Sequence, residues 1–224
     1  KVAQAYALVD YNPLPDLLIS NLSFSASQAY EGESVTVYVT TKNQGNGNAG
    51  ASTTRVNDGI TNNDFSVSAL LSGAFQSDSF SYTCGQNNVT FTATADYLTS
   101  VSETNEANNQ LSKFLSCVAR ADLIISNLTF VEYIANSTTF ANVTIGVKNI
   151  GHVGTAGGSI TRLVGLSTSD RVTSSLNVEQ TTYLSWEYTC TSAHNFTATA
   201  DLFNAINELD ESNNQAQTYI DCII

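Results

Sequence analysis

The chain has 224 residues, 20 of them acidic and 8 basic, for a formal net charge of −12. A surface of that sign repels phosphate backbones and anionic headgroups, and no basic cluster offsets it, so nucleic-acid binding is excluded and cations are the natural small partners. No apolar run approaches the roughly 18 residues that cross a bilayer as a helix, so membrane insertion is not expected.

The chain begins at Lys1 and contains no methionine, which reads as a mature chain whose signal peptide has been removed. Residues 1–15 stand apart from the rest of the chain. Val2, Ala3, Ala5, Tyr6, Ala7, Leu8, Val9 and Tyr11 make the segment apolar and β-prone, and Pro13 and Pro15 end it. An apolar strand with no domain of its own must bury itself somewhere. It either adds to a sheet of a neighbouring subunit, as in donor-strand complementation, or folds back on the first domain. Disorder is the weaker option, since disordered tails are usually polar. Head-to-tail donation does not close on itself and builds a filament, so the expected partner is a second copy of the chain.

From residue 16 onward the sequence repeats itself. Asp16-Leu-Leu-Ile-Ser-Asn-Leu-Ser-Phe24 returns as Asp122-Leu-Ile-Ile-Ser-Asn-Leu-Thr-Phe130, and Lys42-Asn43-Gln44-Gly45 as Lys148-Asn149-Ile150-Gly151. Tyr82-Thr83-Cys84 returns as Tyr188-Thr189-Cys190, FTATAD at 91–96 recurs letter for letter at 196–201, and Cys117 returns as Cys222. A repeat of about 105 residues is the size of one β-sandwich. The chain therefore divides into an extension at 1–15 and two domains, 16–118 and 119–224. No Gly, Pro or Ser spacer lies near 119–121, so the expected junction is a stiff one.

Within each repeat the local pattern is β. Val37, Val39 and Thr41 alternate on one face, as do Val143, Ile145 and Val147; Phe80 and Tyr82 correspond to Trp186 and Tyr188 at the same period of two. Stretches 45–50 and 151–158, rich in Gly and Asn, read as turns. No helical stripe is sustained, so the expected fold is all-β: two tandem Ig-like antiparallel sandwiches. Four cysteines allow three pairings, and the repeat selects Cys84–Cys117 and Cys190–Cys222, because each domain then closes on itself. Each bridge would join the end of a middle strand to the end of the last and contribute about 3–4 kcal/mol. Zinc is the competing use of the thiols, but there is no CxxC and neither histidine is repeated. Paired disulfides imply an oxidising, extracellular setting.

With these blocks in view, each repeat resembles the CARDB family, a cell-adhesion-related domain of bacteria and archaea. The match rests on an opening strand Pro15-Asp16-Leu17 or Ala121-Asp122-Leu123, on Lys-Asn-x-Gly at 42–45 and 148–151, and on a closing acidic segment at 96–109 and 201–214. The resemblance implies extracellular sandwich modules, often arrayed on large surface proteins. The disulfide departs from the family's usual pattern and suggests a harsher or more exposed setting.

The closing segments concentrate oxygen donors: Asp96, Glu103, Asn105, Glu106, Asn108 and Asn109 in the first repeat, and Asp201, Asn207, Glu208, Asp210, Glu211, Asn213 and Asn214 in the second. Calcium takes six to eight such oxygens, so these residues are candidate ligands and calcium the candidate cofactor. The alternative is that the same side chains stabilise a turn through their own hydrogen bonds. Six sequons, at Asn21, Asn88, Asn127, Asn136, Asn142 and Asn195, are candidate N-glycan sites, although so much Asn, Ser and Thr produces several by chance. There is no HExxH, GxSxG, GxGxxG or Walker-type loop, and no catalytic residue or enzymatic activity is expected. The expected function is a secreted structural subunit of a prokaryotic cell-surface filament, polymerising through residues 1–12. An adhesion or glycan-binding module, or an accessory piece of a larger secreted protein, is the alternative.

Overall fold

The computed structural model describes residues 12–222, and every regular element among them is a β-strand. The chain divides into two compact units between Val118 and Ala119. Unit 1 contains β1 (Leu17–Phe24), β2 (Gln28–Tyr30), β3 (Ser34–Asn43), β4 (Ser52–Asn57), β5 (Asn62–Val67), β6 (Phe75–Thr83), β7 (Val89–Thr94) and β8 (Gln110–Val118). Unit 2 contains β9 (Leu123–Ala135), β10 (Thr138–Asn149), β11 (Ser159–Val164), β12 (Thr168–Thr173), β13 (Thr181–Thr189), β14 (His194–Thr199) and β15 (Gln215–Ile220).

In each unit a three-stranded sheet accompanies a larger one. The sheets of unit 1 run β1-β3-β6 and β2-β8-β7-β4-β5; those of unit 2 run β9-β10-β13 and β12-β11-β14-β15. Alternation decides which side chains point between them. In β3 the buried positions are Val35, Val37, Val39, Thr41 and Asn43; in β10 Val143, Ile145, Val147 and Asn149 are buried in the same phase. The repeated hexapeptide has a direct physical meaning. Phe91 and Phe196 are the bulky centres of the two cores, while Ala93, Ala95, Ala198 and Ala200 beside them are fully buried. Phe24, Phe80 and Tyr82 pack their rings around Phe91 at 5.4, 6.2 and 5.0 Å between centroids, and Tyr188 meets Phe196 at 5.4 Å.

Both disulfides form within their own unit, Cys84–Cys117 with Cα atoms 5.4 Å apart and Cys190–Cys222 at 5.7 Å. Each bridge leaves just after β6 or β13. These strands are mid-chain in sequence but lie at the edge of their sheets, not in the middle, so each disulfide ties an edge of one sheet to the last strand of the other.

The two units part company in one place. In unit 1 the chain leaves β1, crosses to the larger sheet as β2, and pairs in parallel with the end of β8, at Gln28–Ser116, Ala29–Cys117 and Tyr30–Val118. Gly32, at φ 82°, turns it back into β3. Unit 2 has no glycine there. Its chain continues as a long hairpin, β9 against β10, closed by Asn136 and Ser137 at φ 49° and 61°. The larger sheet of unit 2 therefore ends at β15, with no described strand beyond it.

Candidate functional site

The acidic segments form the loops between β7 and β8 and between β14 and β15. Asp96 and Asp201 are buried, sit in the left-handed region at φ 42° and 39°, and fold their carboxylates back over the loop. Asp96 accepts from the amides of Ser100 (3.0 Å) and Val101 (2.8 Å), and Asp201 from those of Ala205 (3.1 Å) and Ile206 (2.8 Å). Glu106 accepts from the Glu103 amide at 3.0 Å and Glu211 from the Glu208 amide at 3.1 Å. Asn105 and Asp210, at the exposed tips, accept from Ala107 (3.0 Å) and Ser212 (2.9 Å).

The loop so formed grips the start of its own domain. Glu103 accepts from the Leu17 amide and Glu208 from the Leu123 amide (3.0 Å). The Asn108 side chain donates to Asp16 at 2.9 Å, and Asn213 to Asp122 at 2.9 Å. Asn109 donates to Glu103 at 3.1 Å, and Asn214, with its amide turned to suit its neighbours, donates to Glu208 at 3.0 Å.

On the other side of the first residues lies the Lys-Asn-x-Gly motif. Asn43 and Asn149 are fully buried, and the side chain of each makes four hydrogen bonds. Asn43 accepts from Asp16 (3.1 Å) and Gly45 (3.0 Å) and donates to the carbonyls of Gly47 (2.8 Å) and Leu70 (3.0 Å). Asn149 repeats the pattern with Asp122, Gly151, Val153 and Leu176. Gly45 and Gly151 are obligatory for a steric reason: a Cβ there would stand 2.5 Å from the amide nitrogens of Asp16 and Asp122. The motif reads from sequence only as the end of a strand; its role as a clamp needs the contact across 27 residues.

Burial of Glu103 and Glu208 has an electrostatic consequence. Loss of hydration raises the Glu208 carboxyl to about 7, helped by the nearby Glu211 and Asp201, and raises Glu103 for the same reason with Glu106 and Asp96 nearby. The Leu123 and Leu17 amides oppose these shifts without cancelling them. Glu208 Oε1 is buried without a hydrogen-bond partner.

As it stands, this donor set does not fit a calcium ion. The ion needs six to eight oxygens converging on one point, whereas these carboxylates accept from separate backbone amides. Among the described residues, one group of three acidic, thiol or imidazole side chains brings its ligand atoms within 4.8 Å of one another: Glu132 with Cys190 and Cys222, whose sulfurs are bonded to each other. His152 is exposed and His194 lies half-buried on β14.

Five sequon asparagines, Asn21, Asn88, Asn136, Asn142 and Asn195, are exposed, and Asn127 is half-buried. Asn142 projects from β10 opposite in phase to Val143 and Ile145. Asn136 sits at the tip of the β9–β10 hairpin, whose flank carries exposed Val131 and Ile134 and a Tyr133 ring stacked on Phe140. The assembly residues Val2, Ala5, Tyr6, Leu8, Val9 and Tyr11 lie outside the described residues. The two disulfides, and the lack among the described residues of a helix long and apolar enough to cross a membrane, fit an extracellular protein.

The CARDB family profile matches the chain twice, at residues 14–113 and 120–218. No curated protein matches it. A crystal structure of a CARDB domain from Pyrococcus furiosus, in complex with di-metal ions, is 24% identical, with a TM-score of 0.44 over 47% of this chain and 94% of its own. A solution structure of that domain is 25% identical, with a TM-score of 0.43 over 47% of this chain and 96% of its own. Red sea bream transglutaminase is 15% identical, with a TM-score of 0.35 over 90% of this chain and 31% of its own. The two profile matches take in nearly all of both repeats, including the clamp asparagines and the whole of each acidic loop, and the chain belongs to the CARDB family, as two tandem copies of its domain.

Proposed function

We propose that this chain is a non-catalytic, secreted structural subunit of a prokaryotic cell-surface filament, assembled by donation of its N-terminal apolar segment to a neighbouring copy. The observation that carries the reading is the segment Val2 to Tyr11 itself. It is apolar and β-prone, and it precedes two sandwiches whose described cores begin at Leu17 and at Ala121 and are each closed by a disulfide. An apolar segment ahead of both family-profile matches and rich in Val, Ala and Tyr suits main-chain pairing with another sheet. Native protein viewed by electron microscopy is expected to show filaments, and protein lacking residues 1–12 to remain monomeric. Monomers in both samples would sink the polymer reading.

Adhesion is the second reading, favoured by the β9–β10 hairpin. Its Tyr133 ring is 40% exposed, stacked on Phe140 and hydrogen-bonded to Glu187, beside Val131 and Ile134, which are 67% and 75% exposed. An aromatic face with an adjoining carboxylate is chemistry suited to a sugar ring. N-glycans on the exposed sequons would clothe either kind of surface.

A further inference from the structure

The larger sheet of unit 1 has a strand with no counterpart among the described residues of unit 2. β2, Gln28-Ala29-Tyr30, lies in parallel along the end of β8. Its neighbours complete the pairing: the Ser116 amide donates to the Ser27 carbonyl at 3.3 Å, and the Glu31 amide to the Val118 carbonyl at 2.8 Å. Ala29 is buried in the core at 6% exposure, while Tyr30 on the other face is 38% exposed. In unit 2 the equivalent residues, Ile134-Ala135-Asn136, have gone into the long hairpin, so no described strand pairs with the matching edge at Tyr219 to Cys222, where the Glu132 side chain of β9 reaches the Cys190–Cys222 sulfurs instead. The tripeptide Gln-Ala-Tyr occurs twice in the sequence, at 28–30 and at 4–6, inside the N-terminal segment.

We infer that Gln4-Ala5-Tyr6 of one copy supplies to unit 2 of another the strand that β2 supplies to unit 1, pairing in parallel beside Asp221 and Cys222. The inference rests on the filament reading and names its acceptor. By the register of β2, Ala5 lies opposite Cys222 with its methyl group turned to the core, the Asp221 amide donates to the Ala3 carbonyl, and Gln4 and Tyr6 face out. A small residue is required at position 5, because in unit 1 the same place holds Ala29, in register with Cys117 and buried in the core. The occupant is another copy rather than an unrelated protein, because the chain carries this tripeptide in sequence ahead of both family-profile matches.

The register makes an unusual demand: the smallest side chain of the three should matter most. The full chain is compared with Ala5→Arg and Tyr6→Arg variants by electron microscopy, with amide hydrogen exchange on the assembled and unassembled forms. We expect Ala5→Arg to abolish filaments and Tyr6→Arg to retain them. We also expect the amides of 219–222 to exchange at least about tenfold more slowly in wild-type filaments than in the unassembled variant. Both substitutions precede the two family-profile matches, which begin at residue 14, and an unfolding midpoint equal to that of the wild type in each variant separates loss of assembly from loss of folding. Filaments from Ala5→Arg, or protection at another sheet edge in place of 219–222, would overturn the acceptor and leave the filament reading standing. Absence of filaments from the unaltered chain would remove both.

Discussion

A carboxylate buried beside other carboxylates is held neutral more easily than charged, and Glu208 is the extreme case here, with one oxygen lacking a hydrogen-bond partner and the pKa pushed up to about 7. The sign follows from the direction of the shift. A carboxyl raised above its ordinary value adds stability that is fully present below about pH 4.5 and is lost as the pH climbs through 7. The loss is at most about 3 kcal/mol. Urea unfolding of unit 2 between pH 4.5 and 8 is therefore expected to show declining stability, and Glu208→Gln to flatten the decline and exceed the wild type at pH 8. An unchanged slope in the variant would show that the carboxyl does not titrate in this range. Sequence marks Glu208 as one acid among several; only the packed loop separates it from Glu211, three residues away, which remains exposed.

Among the elements, alternation of Val, Ile and Thr is enough to locate β3 and β10, because a period of two admits only one buried face. The same reasoning cannot distinguish β1 and β2 from the unbroken β9. Both regions are β-prone, and the difference turns on whether Gly32 or Asn136-Ser137 sets the turn. The disulfides belong to this scale as well. Each closes a loop across sheets, joining residues 33 and 32 apart in sequence. Replacing Cys84 and Cys117 together by serine is expected to lower the stability of unit 1 by about 3–4 kcal/mol and to leave unit 2 unchanged. Denaturant curves that resolve the two units would test this; an equal loss in both would mean that they do not unfold independently.

For the whole molecule, the excess of acid over base invites cations, yet the acidic loops bring their oxygens to backbone amides rather than to one another. A cation bound in the folded state at 100 times its dissociation constant would add about 2.7 kcal/mol. We expect thermal unfolding in millimolar calcium and in EDTA to coincide, and a midpoint several degrees higher in calcium would make the loops a cation site. By itself the sequence determined the all-β class, the two-fold repeat, the cysteine pairing and the family, because each of these depends on spacing along the chain and spacing is what a repeat displays. Tertiary structure alone decided which acids are buried, what the Lys-Asn-x-Gly asparagine holds, and which sheet edge has no described strand beside it. Those depend on contacts between residues tens of positions apart, and no local pattern carries them.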